Sequence, residues 1–411
     1  MNRLLMVFAC IGVGYVVSEG VIVCYWQSWS AGRVAPGDFK IQDFDGNLCT
    51  HLIFAFAGVR DSDGAIVDIY DPWNYWAVLD WRNEHYPHLK VLLAVGGWNE
   101  GAAKFSKVAD DHEKRINFAN SAVSFCKTYG FDGIDMDWEY PGEDRFDSPG
   151  EDYDKANFPI LLQDMRSALD KASQEMGKDY FLTAAVGCGA HKVNQSYEVD
   201  EMDKVLDYWH LMSYDLRMYG MWSDYAKRLG HHAPLRQSRN EGPEVDGLNL
   251  EEIIQNFVDL GANRSKLVLG VGTYGKTYTL TKRSEHKIWD VAAGPGVAEP
   301  FMATEGTISY AGICHQIPMS RSNFEIHYDE DAEVPFTFND TLWIGYDNPE
   351  SIEKKVDFAY EEKLGGIMIW SIDMDDCKNL CKDWYSCPIA TAIKDRMDYY
   401  RNEKGGWPGP N

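Results

Sequence analysis

The chain has 411 residues and a formal net charge of −25 at pH 7. This acidity excludes partners held mainly through phosphates or an anionic lipid surface, because such partners need clustered Lys and Arg. We therefore expect no nucleic-acid partner and no membrane partner, while a neutral or cationic ligand stays open. The length fits either one large barrel domain with an insertion or two ordinary domains.

The first residues have the layout of a secretory signal peptide. Arg3 precedes an apolar run over residues 4–17, and small or polar residues follow it. The alternative is a membrane anchor, but the run is short for a bilayer span. The sequence therefore predicts removal of residues 1–18 and a secreted, extracellular mature chain.

Eight short, β-rich apolar runs follow along the chain. They cover residues 21–26, 51–58, 90–96, 133–138, 181–187, 209–212, 267–271 and 366–370. Amphipathic helical stretches lie between most of them, at 104–129, 153–176, 248–260 and 351–364. Strands that alternate with helices predict parallel βα units, and eight such units fit a closed barrel.

One interval breaks this alternation. Nearly a hundred residues separate the seventh run from the eighth, and residues 276–338 have the pattern of short strands with Gly-rich turns. We predict an α/β fold, a (β/α)8 TIM barrel at 19–275 and 346–402, with an α+β insertion at 276–345 between the seventh and eighth strands. Residues 403–411 are rich in Gly and Pro and are predicted to form a flexible tail.

Three acidic residues alternate in the fourth run. Strand side chains point to opposite faces in turn, so Asp135, Asp137 and Glu139 share one face. In a barrel strand this face is the interior, with Glu139 at the C-terminal mouth where active sites lie. Carboxylates at close range raise one another's pKa, and such costly clusters are kept mainly where chemistry uses them.

Two other interpretations of these acids are a solvated charge run at a strand end and a divalent metal site. A solvated run would not alternate with Ile134, Met136 and Trp138. The Asp/Asn/Gly spacing of an EF-hand calcium loop does not occur here. We therefore interpret the three acids as a catalytic cluster and expect no metal.

The segment 132–139, Asp-Gly-Ile-Asp-Met-Asp-Trp-Glu, resembles the signature of the family 18 glycoside hydrolases, Asp-Gly-X-Asp-X-Asp-X-Glu. The resemblance extends from residue 21 to about residue 400. Its other motifs are VCYW at 23–26, FAF at 54–56, VGGW at 95–98, MSYD at 212–215, YG at 274–275 and GGIMIW at 365–370.

The resemblance implies hydrolysis of β-1,4-linked N-acetylglucosamine polymers with retention, in which the acetamido oxygen of the sugar attacks the anomeric carbon. Glu139 would protonate the leaving oxygen, and Asp137 would bind the acetamido N–H. Asp135 would share a proton with Asp137, and the Tyr214 hydroxyl would hold the acetamido carbonyl. Asp215 would line the same pocket, and no cofactor is implied.

The resemblance also implies a set of sugar-binding residues. Trp370 would form the apolar floor, with Tyr25 and Phe56 as its wall. The remaining candidates are Gly97, Trp98, Met212, Trp222, Tyr274 and Lys276. Lys276 stands where the family pattern usually has Arg, whose planar fork makes two bonds where Lys makes one. The loop 216–220 also looks longer than the usual family loop.

Of nine cysteines, Cys10 lies in the predicted signal peptide. The other eight are scattered, which in an oxidising compartment indicates disulfides rather than zinc. The resemblance implies bridges between Cys24 and Cys49 and between Cys314 and Cys377. The remaining four are Cys381 and Cys387, which are close enough for a small loop, and Cys126 and Cys188, which we expect to be buried thiols.

Two further features of the sequence do not indicate catalysis. His231 and His232 are adjacent, but no third ligand has a zinc-like spacing, so we interpret them as loop residues. Sequons begin at Asn194, Asn263 and Asn339 and would permit glycosylation.

The leading hypothesis is a secreted, monomeric, endo-acting chitinase that cleaves chitin and chito-oligosaccharides. A chitinase-like lectin would bind the same glycans without turnover, but such proteins typically lose the acid or a neighbouring aspartate. An endo-β-N-acetylglucosaminidase acting on N-glycans would use the same signature. The aromatic cleft and the insertion favour chitin.

Overall fold

The computed structural model describes residues 19–69, 73–145, 147–220, 224–319, 324–382 and 385–408. The strands in this part of the chain are β1 (Val21–Gln27), β2 (His51–Val59), β3 (Ile66–Val67), β4 (Lys90–Gly96), β5 (Gly133–Asp137), β6 (Phe181–Gly187), β7 (Tyr208–Met212), β8 (Leu267–Gly272), β9 (Tyr274–Leu280), β10 (Ala292–Pro295), β11 (Thr307–Ser309), β12 (Glu325–Asp329), β13 (Val334–Phe338), β14 (Leu342–Gly345) and β15 (Gly366–Trp370). The helices are α1 (Trp73–His85), α2 (Ala103–Asp110), α3 (His112–Tyr129), α4 (Asp154–Met176), α5 (Ala190–Ser196), α6 (Val199–Asp203), α7 (Leu250–Asp259), α8 (Tyr310–Met319), α9 (Pro349–Glu361) and α10 (Pro388–Glu403).

Eight parallel strands close into a barrel. Their order is β1, β2, β4, β5, β6, β7, β8 and β15, and β1 pairs with both β2 and β15. These are the eight predicted runs, with ends that differ by two residues at most. The predicted (β/α)8 TIM barrel is therefore confirmed, and so is an insertion between its last two strands.

The insertion contains a second, antiparallel sheet. Its strands run in the order β10, β9, β14, β13 and β12, and β11 also pairs with β9, along residues 274–276. The sheet begins at Tyr274, directly after β8, two residues before the predicted boundary at 276. The seventh barrel strand, β8, is thus followed at once by a strand that carries both Tyr274 and Lys276 to the barrel mouth.

The barrel strands separate two layers of buried side chains. On β5, Ile134 and Met136 belong to the large cluster between barrel and helices. On β1 and β15, Tyr25 and Met368 belong to the smaller cluster inside the barrel. Because strand side chains alternate between faces, Asp135 and Asp137 point into the interior. The near-continuous apolar runs follow from burial of both strand faces.

The predicted helix at 104–129 is two helices. Asp111 separates them in an extended conformation, and its carboxylate accepts hydrogen bonds from the main-chain N–H groups of Glu113 and Lys114. A side chain that satisfies these first N–H groups begins a new helix, so α3 starts at His112.

The prediction of a flexible tail from residue 403 is wrong as far as Trp407. The Trp407 side chain is 2% exposed, and its Nε1 donates a 2.7 Å hydrogen bond to the Leu364 carbonyl. Its ring also packs on Tyr360 and Tyr400, with centroids 5.6 and 6.1 Å away. Burial of one large indole offsets the flexibility that the neighbouring Gly and Pro residues favour. Residues 409–411 lie outside the described residues.

The bridge between Cys24 and Cys49 is present as predicted, but the predicted bridge between Cys314 and Cys377 is wrong. Cys314 pairs with Cys381, and Cys377 pairs with Cys387, so the small loop from Cys381 to Cys387 is wrong too. Spacing along the chain cannot choose among the three pairings of four cysteines. Cys126 and Cys188 are free and buried, as predicted. Among the described residues, no helix is both long and apolar enough to cross a membrane.

Candidate active site

The three predicted acids lie together at the C-terminal end of β5. Asp135 is fully buried, Asp137 is 3% exposed and Glu139, two residues beyond the strand, is 9% exposed. The neighbouring strand β4 approaches closely here. A Cβ on Gly96, whose φ is 118°, would lie 2.1 Å from the Asp137 carbonyl oxygen, so only glycine allows this approach.

Asp135 is held by side chains from three other strands. Its Oδ2 accepts a 2.6 Å hydrogen bond from the Tyr25 hydroxyl, and its Oδ1 accepts one of 2.6 Å from Thr183. His210 Nδ1 lies 2.9 Å from Asp135 Oδ1 and 3.0 Å from the Tyr25 oxygen. Thr183 and His210 were missed from the sequence, although each occupies an inward position on its strand. Both Asp135 oxygens are therefore already engaged within the barrel.

Asp137 has a different environment. Its Oδ1 is buried and has no hydrogen-bond partner among the described residues. Burial raises its pKa well above the usual range, and the charges of Glu139 and Asp135 raise it further. A buried carboxyl oxygen without a partner can accept a hydrogen bond from a bound donor at little cost to the protein.

Glu139 has a pKa raised to about 7. Burial is the main cause, and it outweighs the hydrogen bond from Tyr140 and the positive charge of Arg145, which act in the opposite direction. The Asp215 and Glu143 charges add to the rise. A carboxyl group with this pKa remains largely protonated in mildly acidic solution, as a general acid must.

Asp215 follows β7 and gathers three partners at one oxygen. The Tyr274 hydroxyl donates a 2.6 Å hydrogen bond to Oδ1, Lys276 Nζ lies 3.1 Å away and His232 Nδ1 lies 3.7 Å away. Burial alone would raise the pKa of Asp215, but the Lys276 charge lowers it below the usual range, and the hydrogen bond from Tyr274 acts in the same direction. Asp215 therefore loses its proton at a lower pH than Glu139 does.

Tyr214 precedes Asp215 and is buried, with its hydroxyl 3.9 Å from Met368 Sδ. Burial raises the pKa of this hydroxyl well above its usual range, and the charges of Asp137, Asp215 and Glu139 add to the effect. The phenol therefore keeps its proton and can act as a donor. Met212, two residues earlier, is half-buried against the cluster inside the barrel.

Aromatic rings line the barrel mouth. The half-buried Trp370 ring lies 5.5 Å from Tyr25 and 5.9 Å from Phe56, measured between centroids. Trp29 stacks on the far side of this group, 6.1 Å from Phe56. Trp29 was missed from the sequence, as was Met302 of the insertion, which packs on the same interior cluster. The rings thus form a continuous wall from the pocket floor outwards.

Trp98 lies at the edge of the mouth and is 54% exposed. The Arg145 guanidinium carbon lies 3.9 Å from its ring centroid. A Cβ on the preceding residue, Gly97, would come within 2.7 Å of the Phe56 ring, so glycine lets the strand end approach the wall. The predicted site residue Trp222 lies outside the described residues.

Comparison with known proteins identifies the family. The sequence profile of glycosyl hydrolases family 18 matches residues 21–375. Chitotriosidase-1 of Mus musculus is 37% identical over 93% of this chain and 79% of its own length. The endochitinase of Manduca sexta is 34% identical over 93% of this chain and 68% of its own length.

Solved structures agree with this assignment. The Ostrinia furnacalis Group IV chitinase in complex with allosamidin superposes with a TM-score of 0.84 at 33% identity, over 94% of this chain and all of that one. Human YKL-39, described as a pseudo-chitinase with retained chitooligosaccharide binding, gives 0.83 at 30% identity, over 92% of this chain and all of that one. The chain belongs to glycosyl hydrolases family 18.

Proposed function

We propose that this protein is a chitinase that hydrolyses β-1,4 linkages between N-acetylglucosamine units in chitin and chito-oligosaccharides, with retention and by substrate assistance. The observation that carries the proposal is the complete acid cluster, in which Glu139 has a pKa of about 7 beside the buried Asp137 and Asp135. A chain that only bound glycans would have no use for this costly arrangement.

The reaction begins with protonation of the glycosidic oxygen by Glu139. As the bond to the leaving sugar breaks, the acetamido oxygen attacks the anomeric carbon and forms a cyclic oxazolinium ion. The unpartnered Oδ1 of Asp137 accepts the acetamido N–H and stabilises the positive charge. The Tyr214 hydroxyl donates to the acetamido oxygen and aims it at the carbon. Glu139, now ionised, then takes a proton from the water that opens the ring.

Asp135 acts through its neighbour in this proposal. Its negative charge adds to the raised pKa of Asp137, so Asp137 holds a proton more strongly than it would without this neighbour. The bonds from Tyr25 and Thr183 fix Asp135 while Asp137 exchanges partners during the reaction. Asp215 lines the same pocket, and its charge adds to the raised pKa of the proton donor Glu139.

The aromatic rings at the barrel mouth would bind several sugars of the polymer. Trp370, Phe56 and Trp29 offer successive apolar faces on which pyranose rings stack, and the insertion adds a side wall through Met302. A row of stacking faces that holds several sugars at once favours endo cleavage.

We also propose that the protein is secreted. The bridges Cys24–Cys49, Cys314–Cys381 and Cys377–Cys387 favour an oxidising, extracellular location.

Incubation with the hexamer of N-acetylglucosamine, with products sized by mass spectrometry, tests the proposal, and Glu139→Gln serves as the matched control. We expect internal cleavage by the wild type, none by the variant, and similar binding of the hexamer by both in calorimetry. Binding without turnover in the wild type would identify a chitinase-like lectin. If the protein cleaves the N-glycan core but leaves chitin oligomers uncleaved, it is an endo-β-N-acetylglucosaminidase.

A further inference from the structure

The backbone at Asp215 has an unusual conformation. Its φ is 58°, in the left-handed region that residues with a side chain seldom adopt. This conformation places the Asp215 carboxylate between Tyr274 and Lys276 at the barrel mouth. A sparsely populated backbone state persists only where surrounding contacts hold it.

His232 supplies such contacts from a separate loop. Its main-chain oxygen accepts a 2.9 Å hydrogen bond from the Leu216 N–H, directly after Asp215. Its ring Nδ1 lies 3.5 Å from the Asp215 main-chain nitrogen, which donates to it. The ring also packs against Tyr274, with centroids 5.1 Å apart. His232 thus contacts Asp215, the next residue Leu216, and Tyr274, which donates a hydrogen bond to Asp215.

The ring chemistry agrees with an acceptor role. Burial lowers the pKa of His232 below its usual value, although the Asp215 charge acts in the opposite direction. A neutral imidazole has a lone pair on one nitrogen, and Nδ1 can use it to accept the Asp215 N–H. The other nitrogen, Nε2, is buried and has no partner among the described residues.

The loop that carries His232 is itself held on both sides. His231 Nε2 lies 3.3 Å from Asp329 of the insertion. Lys355 of α9, which is fully buried and paired with Asp347, donates a 2.7 Å hydrogen bond to the Ala233 carbonyl. The segment 231–233 is therefore held in place by contacts with the insertion and with α9, and it contacts the loop after β7 in turn.

We propose that His232 is a positioning residue for the hydrolysis, which holds Asp215 in its left-handed conformation and its carboxylate in the pocket. The inference rests on the proposed function of the same site. His232 is only 2% exposed, so in this proposal it acts through Asp215 and not by contact with the substrate. Replacement by Asn keeps a small acceptor for the Asp215 N–H, whereas Leu fills similar space without one.

A double-mutant cycle tests this inference. We expect His232→Leu to lower kcat about tenfold to a hundredfold with a smaller change in KM, because a displaced group is lost mainly from the transition state. His232→Asn should recover most of the loss. In an Asp215→Asn background, His232→Leu should add little, because the two residues act as one unit. Additive losses in the cycle, or full activity of His232→Leu, would overturn the proposal.

The control is His51→Leu, since His51 is also buried but packs on Phe181 at the other end of the barrel. It should cost stability without the selective fall in kcat. If the wild type binds glycans but does not cleave them, the proposed function fails. The same double-mutant cycle is then carried out with the Kd of each variant for the glycan in place of kcat. A crystal structure of His232→Leu gives an answer that is independent of activity: Asp215 at its original φ and in its original contacts would refute the positioning role.

Discussion

The Tyr25 hydroxyl donates a 2.6 Å hydrogen bond to Asp135 Oδ2 across the inside of the barrel. Tyr25 belongs to β1 and Asp135 to β5, so the bond joins two strands that are not neighbours. The same tyrosine ring packs against Trp370, where the proposed sugar floor lies. One side chain thus connects the buried acid to the binding surface.

Tyr25→Phe should therefore change the chemistry more than the shape of the site. Asp135 Oδ2 would lose its donor in a buried position, which costs about 1–3 kcal/mol in the free energy of unfolding. We also expect a shifted pH profile of kcat, because the charge of Asp135 contributes to the raised pKa of Asp137 and the lost hydrogen bond changes how that charge is held. Urea denaturation and kcat measured across pH check the two effects, and an unchanged pH profile would contradict the coupling.

Glu139→Gln should abolish nearly all turnover while oligosaccharide binding persists, because the amide keeps the shape but supplies no proton. In the wild type, activity should fall as the pH rises through about 7, where the acid loses its proton. Substantial residual turnover in the variant would refute Glu139 as the proton donor.

The raised pKa of Glu139 also predicts a dependence of stability on pH. A carboxyl whose pKa is higher in the folded than in the unfolded state stabilises the fold fully below its unfolded pKa. That contribution is lost as the pH rises towards about 7. Glu139→Gln has no such loss, so its unfolding free energy relative to wild type should increase between pH 4 and pH 8. Denaturation curves at the two pH values measure this, and a constant difference would contradict burial as the cause.

Partly acetylated chitosan distinguishes substrate assistance from a protein nucleophile. If the acetamido oxygen attacks, the sugar beside Glu139, Asp137 and Tyr214 must carry an acetyl group. Every new reducing end should then be N-acetylated, and fully deacetylated polymer should resist cleavage. Sequencing of the products from their reducing ends provides the measurement. Glucosamine there at the frequency of the polymer would mean that a carboxylate of the protein is the nucleophile.

The disulfide pairing predicts unequal losses of stability. The bridge between Cys314 and Cys381 closes 67 residues, whereas that between Cys377 and Cys387 closes 10. In the chain-entropy account, the longer loop is worth about 2 kcal/mol more. Paired replacement by Ala, followed by denaturation, should show that order. Peptide mapping without reduction checks the pairing itself, and a peptide linking Cys314 to Cys377 would contradict it.

The sequence predicted those features that are local and periodic. The barrel strands are short apolar runs separated by helical stretches, and the alternation of Asp135, Asp137 and Glu139 directly indicates a shared face. The contacts of Thr183 and His210 with Asp135 could not be predicted in this way, because they join strands that are distant along the chain. An inward polar position on a barrel strand was the one available signal.

Three other features were not predicted, for one common reason. The cysteine pairing, the packed end of the chain and the burial of the loop residue His232 all depend on which surfaces meet after the barrel has closed. Trp407 has glycines and a proline around it, so its neighbours in sequence indicate a loop, while its neighbours in space are Tyr360 and Tyr400. Local propensity carries no information on such contacts.

The packing of Trp407 also brings the first and last parts of the described residues together. Arg401 donates a hydrogen bond to the Gly20 carbonyl, and Gly20 lies against the Trp407 ring. Residues 20 and 407 therefore meet at the start of β1, on the side of the barrel away from Glu139. A polymer bound at the proposed proton donor would thus lie at the opposite end of the barrel from this contact.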